Sequence, residues 1–229
     1  MAVHTVLSAK AFIFDLDGTL MDTSPMIKKF WYAFAQAEGL DPHHVYASSH
    51  GRTTLDILRD HVPHKATPEL AKHYEDSVAD DVEGITIIAG VLNVLNKTPF
   101  GRWGINTSGG YLLAKNRLAH LGVKLPEVFV TYGAVKQGKP APDSYLLAAE
   151  KLGVPPQDCI VFEDAVAGVQ AGKAAGMRVV GLLTAVKEQE LREAGADVVV
   201  KDMTYLDVQE EGDALQLLIL KEPVKEVQV

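Results

Sequence analysis

Cysteine is almost missing from this chain of 229 residues: Cys159 stands alone, so no intrachain disulfide can form. A reducing cytoplasm is therefore the expected location. The surroundings Asp158-Cys159-Ile160-Val161-Phe162 suggest a thiol in an apolar strand rather than a catalytic one. Long hydrophobic runs are missing too. No stretch approaches the ~18 apolar residues of a membrane span, and no charged-then-apolar leader opens the chain. Positive charge is in deficit: the formal net charge is −8, which argues against a nucleic-acid backbone or an anionic membrane as the main partner. A small phosphorylated metabolite remains compatible, because a divalent cation and one or two lysines reverse the local field. Internal repeats and low-complexity segments are absent. The remainder, 47% hydrophobic and 23% charged, is the composition of a soluble globular protein with room for one domain or for a domain carrying a smaller insert.

The stretch Ala11-Phe12-Ile13-Phe14-Asp15-Leu16-Asp17-Gly18-Thr19-Leu20 stands out from that background. Apolar β-formers lead directly into two carboxylates one residue apart, the pattern of a buried parallel strand that ends in a reactive turn. Residues two apart on an extended chain point the same way, so Asp15 and Asp17 can serve one centre, one as nucleophile and one handling protons. A carboxylate that accepts a phosphoryl group needs its charge countered and its leaving group protonated, needs that Mg²⁺ and a second acid meet. This run resembles the first motif of the haloacid dehalogenase-like hydrolases, most of them Mg²⁺-dependent phosphatases that work through an aspartyl-phosphate.

Between Ser24 and Glu38 apolar residues at Met26, Ile27, Phe30, Trp31, Phe34 and Ala35 form a helical stripe, with Ser24 as N-cap and Gly39 as stop. The stripe reads as core packing rather than a binding platform. Further helices are expected over 53–62, before Pro63, and over 68–81, capped by Thr67. Residues 20–87 thus form a helical insert, and residues 1–19 and 88–229 a core. From Ile88 onward short strands alternate with helices, over 102–106, 128–132, 159–162, 179–183 and 198–200, with helices over 110–121, 143–152 and 165–175. This predicts an α/β fold, a Rossmann-like parallel sheet covered by helices on both faces. The end, 212–229, joins the apolar run Leu215–Leu220 to a charged tail and is read as an edge strand, a final helix or a partly mobile segment.

Ligands in such sheets bind beyond the carboxyl ends of the strands. There Thr107, Ser108, Gly109 and Gly110 offer hydroxyls and free N–H groups at a helix N-terminus, an anion cradle or simple N-capping. The loop Gly138-Lys139-Pro140-Ala141-Pro142 can point one lysine inward. Lys139 is the choice and Lys136 its competitor, against two solvated lysines. Glu163 and Asp164 close a buried strand and are costly without a cation; Asp164 as a mere helix N-cap is the alternative. The family resemblance extends through these segments in order. It implies that Thr107 holds the phosphoryl oxygens with Ser108 and Gly109 beside it. Lys139 offsets the charge of Asp15, and Mg²⁺ is held by Asp15, Asp164 and the main-chain carbonyl of Asp17, with Glu163 either joining them or ordering a bound water.

The second carboxylate implies phosphoryl transfer rather than carbon–halogen cleavage, since dehalogenase members lack an aspartate at the position of Asp17. Asp17 would protonate the leaving alkoxide and then activate water. Phosphomutase relatives share the core, but their hinge histidine is missing where Met26-Ile27-Lys28 stands. The helical insert would be a substrate-selecting cap. Its run Ser48-Ser49-His50-Gly51-Arg52-Thr53-Thr54 resembles the cap loop of fungal glycerol-3-phosphatases and 2-deoxyglucose-6-phosphate phosphatases. His50 and Arg52 would then bind a polyol or sugar across a turn at Gly51; Ser49 or Thr53 starting a helix beside a surface Arg52 is the bland alternative. Six of the eight histidines lie between residues 43 and 73, but Pro63 between His61 and His64 argues against a zinc site. The expectation is a phosphatase of a small sugar or polyol monophosphate, monomeric by resemblance. The alternatives are a β-phosphoglucomutase-like mutase and a silent phosphometabolite-binding regulator.

Overall fold

The computed structural model describes residues 2–224. The chain enters through β1 (Val3–Ala9) and, one residue later, β2 (Ala11–Phe14). A short β3 (Met21–Asp22) leads into α1 (Ser24–Glu38), α2 (Pro42–Ser49), α3 (Thr54–His61) and α4 (Pro68–Ser77), and β4 (Thr86–Ile87) returns. Then come α5 (Val91–Lys97), β5 (Trp103–Asn106), α6 (Tyr111–His120), β6 (Val128–Val130) and α7 (Asp143–Leu152). The chain finishes through β7 (Cys159–Glu163), α8 (Val166–Ala174), β8 (Arg178–Leu182), α9 (Glu188–Glu193), β9 (Val198–Val200), β10 (Leu206–Glu211) and β11 (Ala214–Leu220).

Six strands form a parallel sheet in the order β6-β5-β2-β7-β8-β9. Every residue of β2, β5 and β7 is buried, as strands covered on both faces must be. Their alternation splits the interior in two. Phe12, Phe14, Ile160 and Phe162 join one apolar cluster, with the Phe14 and Phe162 rings stacked at 4.5 Å, while Ile13, Cys159 and Val161 join another with Tyr145 and Val169. Cys159 is a core thiol, and burial pushes it up to about 12. Because β5, β2 and β7 are neighbours, the residues that follow them meet at one edge of the sheet.

The apolar run Leu215–Leu220 is neither an edge strand nor a helix. Its strand, β11, is the centre of a separate antiparallel sheet ordered β1-β11-β10, and Leu215, Leu217 and Ile219 point inward at period two. Residues 225–229 of the expected tail lie outside the described residues. Strands β3 and β4 pair antiparallel, Met21 opposite Ile87, so the helical segment leaves and rejoins the core through one ribbon. Its helices gather an apolar cluster of their own, including Trp31, Phe34, Val45, Ile57, Leu58 and Ala71. The stripe of α1 is only partly core: Phe34 and Ala35 pack inside that cluster, whereas Met26, Ile27, Phe30 and Trp31 also line a cavity that reaches Asp15 and Asp17, so the expectation of core packing alone is corrected, and Tyr32 bonds His43.

Three local expectations need correction. Ser24 is not the N-cap: it is the first helical residue, with Thr23 before it, and its N–H is taken by the Asp22 carboxylate at 2.9 Å. Helix α2 was not expected, because it buries only Val45 and Ser49; its start signals are Asp41, which accepts the His43 N–H, and Pro42. Helix α4 stops at Ser77 rather than near 81. Thr53 and Thr67 cap α3 and α4 through their hydroxyls, at 3.1 and 3.2 Å. Among the described residues no helix is long and apolar enough to cross a membrane.

Candidate active site

Asp15 follows β2 and Glu163 ends β7, neighbours in the sheet, and Lys139 reaches between them from the loop before α7. Its Nζ lies 2.5 Å from Asp15 Oδ1, 2.6 Å from Glu163 Oε1 and 3.3 Å from the Asn106 carbonyl oxygen. Lys136, its competitor in the sequence, is exposed. Glu163 is fixed on every side: Tyr145 donates to Oε1 at 2.8 Å, and the N–H groups of Asp164 and Ala165 donate to Oε2 at 3.0 and 3.2 Å. Asp164 does not cap α8, where Ala165 holds that position; it accepts from Thr19 Oγ1 at 3.3 Å.

Carboxylate oxygens of Asp15, Glu163 and Asp164 lie within 4.8 Å of one another, all buried. Burial, with repulsion from Glu163 and from other carboxylates, raises Asp15 and Asp164 well above the ordinary range, and Lys139 only partly offsets this. For Lys139 burial alone would favour the neutral amine, but Asp15 and Glu163 outweigh it and hold the ammonium charged. Three converging carboxylates against one ammonium are short of positive charge, and hard oxygen donors in that number fit a divalent cation such as Mg²⁺. The Asp17 carboxylate, expected to handle protons rather than to ligate the metal, stands apart from this cluster. Its Oδ1 is 2.5 Å from Arg117 Nη1 and its Oδ2 accepts from Thr107 Oγ1 at 3.4 Å, which leaves its main-chain carbonyl for the ligand role the resemblance implies.

Thr107 is buried and its hydroxyl accepts the Gly109 N–H at 3.0 Å; Gly110, not Thr107 or Ser108, occupies the N-cap position of α6. Ser108 donates to the Gly51 carbonyl at 2.9 Å and so ties the core to the helical segment. Gly51 sits at φ 70°, the left-handed conformation expected of a tight turn there. The His50 ring packs edge-on against Tyr46 at 4.8 Å, and burial lowers its pKa. Arg52 pairs with Asp60 at 2.7 Å. Between these groups and Asp15 and Asp17 lies a cavity of about 100 Å³, also lined by Met26, Trp31, Glu75 and Arg117. A larger cleft of about 670 Å³ adjoins it across Glu75, Thr107 and Ser108. His61 bonds Ser48 at 2.8 Å, and among the described residues no histidine joins a metal-binding group.

Two charged residues of this site were missed in the sequence. Glu75 of α4 is buried, and burial raises its pKa against hydrogen bonds from the Thr54 hydroxyl and the Gly110 N–H. Arg117 of α6 is 2% exposed in a stripe with Leu113, Ala114 and Leu118. The available signal was a charge at an apolar position of each helical stripe.

A family model described as haloacid dehalogenase-like hydrolase matches residues 9–176. The chain is similar to hexitol phosphatase A of Escherichia coli (strain K12), 39% identical over 91% of this chain and 99% of that protein. It is similar to glycerol-1-phosphate phosphohydrolase 1 of Saccharomyces cerevisiae, 37% identical over 93% of this chain and 91% of the relative. Among solved structures it superposes on a hydrolase from Pseudomonas syringae with a TM-score of 0.74, 30% identical, covering 84% of this chain and 94% of the other.

Proposed function

The chain belongs to the haloacid dehalogenase-like hydrolase family, and from that premise we propose that it is a Mg²⁺-dependent phosphatase of a small sugar or polyol monophosphate. The observation that carries this reading is the convergence of Asp15, Lys139, Glu163 and Asp164 at the carboxyl end of the sheet, with Asp17 and Thr107 beside them. Asp15 attacks phosphorus and becomes the aspartyl-phosphate; Asp17 gives a proton to the departing alkoxide and later takes one from the hydrolytic water. Thr107, with Ser108 and Gly109, holds the phosphoryl oxygens, and Lys139 offsets the charge that gathers there. Asp15, Asp164 and the Asp17 carbonyl would hold Mg²⁺, which supplies charge neutralisation at the phosphoryl group, and Glu163, with both oxygens already hydrogen-bonded, would join them or order a bound water.

The segment 20–87 acts as the cap, and its His50, Gly51 and Arg52 meet the alcohol portion of the substrate. Met26-Ile27-Lys28, standing where a mutase hinge histidine is expected, favours hydrolysis over mutation. The single buried thiol suits the cytoplasm. The test is inorganic phosphate release from glycerol 1-phosphate, sorbitol 6-phosphate and 2-deoxyglucose 6-phosphate, with Mg²⁺ and with EDTA. Metal-dependent release that disappears in Asp15→Asn is expected. Conversion of β-glucose 1-phosphate to the 6-phosphate without phosphate release would overturn the reading in favour of a mutase.

A further inference from the structure

Arg117 is anomalous where it stands. Its neighbours on the inner face of α6, Leu113, Ala114 and Leu118, are apolar and buried, while Arg117 lines the small cavity beside Asp17. A guanidinium taken out of water in such a place is costly unless it is paired. Arg117 has one hydrogen-bonded acid, the Asp17 carboxylate at 2.5 Å from Nη1, and lies within the charge reach of Glu75 and Asp81; its Nη2 lies 3.6 Å from the Met26 sulfur, and its Nε has no hydrogen-bond partner among the described residues. Of the acids near it, Asp17 is the one the arginine holds by a hydrogen bond.

That hold has a direction. With Oδ1 taken by Arg117, Oδ2 is the oxygen turned to Thr107, at 3.4 Å. Thr107 is the hydroxyl assigned to the phosphoryl group, so Oδ2 is the oxygen aimed at the scissile ester. We infer that Arg117 is a positioning residue for Asp17: it fixes the carboxyl plane so that Oδ2 delivers its proton to the leaving oxygen. In that step an Asp15 oxygen bonds to phosphorus as the ester P–O bond breaks. The departing oxygen keeps the electron pair and takes the proton from Asp17 Oδ2. The inference rests on the phosphatase reading.

A misdirected Asp17 harms departure of a basic alkoxide far more than departure of p-nitrophenolate, which leaves without a proton. The parameter to compare is kcat/KM, which reports steps up to the first irreversible one and so is insensitive to hydrolysis of the aspartyl-phosphate. Wild type, Arg117→Met and Arg117→Lys are assayed with glycerol 1-phosphate and with p-nitrophenyl phosphate in Mg²⁺. Methionine keeps the length and suits the apolar stripe; thermal unfolding monitors the fold. The expected result is that the ratio of the two kcat/KM values, alkyl over aryl, falls roughly tenfold or more in Arg117→Met, within the range of general acid catalysis, and recovers in part in Arg117→Lys. Equal losses on both substrates would make Arg117 a packing residue and overturn the inference alone. Absence of phosphate release by the wild-type protein from either substrate would instead overturn the phosphatase reading, and the inference with it.

Discussion

Lys139 Nζ bridges Asp15 and Glu163, 2.5 Å from one carboxylate and 2.6 Å from the other, and all three side chains are buried. The ammonium is therefore structural as well as chemical. Replacing it in Lys139→Met leaves two buried carboxylates facing each other, and breaking one side of a buried ion pair costs about 3–5 kcal/mol. Urea unfolding of the metal-free variant should shift by about that amount, saturating Mg²⁺ should recover part of it, and phosphate release should be lost. An unshifted metal-free midpoint would mean that the carboxylates do not depend on the lysine.

Glu75 joins the helical segment to the core at the amino end of α6, where its carboxylate accepts the Gly110 N–H and meets the helix dipole. A Cβ at Gly110 would lie 2.4 Å from Glu75 Oε2, so Gly110→Ala should displace the same carboxylate that Glu75→Ala removes. Each variant should raise KM about tenfold, the equivalent of one hydrogen bond to a charged group. The double variant should lose no more than either single one, because both sever one contact. Additive losses in the steady-state kinetics would separate the two residues.

Glycine within a helix normally destabilises it by about 1 kcal/mol relative to alanine. At Gly168 of α8 the sign should invert. An added Cβ would stand 1.7 Å from Glu163 Oε1, and Glu163 cannot retreat because Lys139, Tyr145 and two backbone N–H groups hold it. Gly168→Ala should lower the urea midpoint and weaken Mg²⁺ binding measured by titration calorimetry. A gain in stability would show that Glu163 has another position open to it.

Burial lowers the pKa of His50 from its ordinary value near 6.5. Between the folded and unfolded values the unfolded chain binds more protons, so the ring's contribution is whole at neutral pH and above and is lost as pH falls through both values. Wild type should therefore lose more stability than His50→Gln between about pH 8 and about pH 5. Urea unfolding of the pair at both ends measures the difference. A constant gap would place the ring in contact with water.

Legibility in the sequence followed the reach of each interaction. Strand β2 and the acids behind it are read from ten contiguous residues, because a doubly covered strand must be apolar throughout and must break where chemistry begins. Lys139 was separable from Lys136 only through the motif; in the structure the first is buried and the second exposed. The antiparallel sheet of β1, β11 and β10 was not legible. It pairs residues near opposite ends of the chain, Leu7 with Leu217, and no local pattern records a partner so distant. Arg117 and Glu75 failed for a related reason: each is a charge in an apolar stripe, explained only by a group on another element, Asp17 in one case and the start of α6 in the other.

The two-residue ribbon of β3 and β4 carries both crossings between the helical segment and the sheet. A segment tethered in that way, with its own apolar cluster, is a detachable module in evolutionary terms. Residues of the insert can be reshuffled, or the whole insert exchanged at two adjacent peptide junctions, while Asp15, Asp17 and Asp164 keep their places in the turns that follow β2 and β7. Diversity of substrates within one chemistry is the expected history of such a plan.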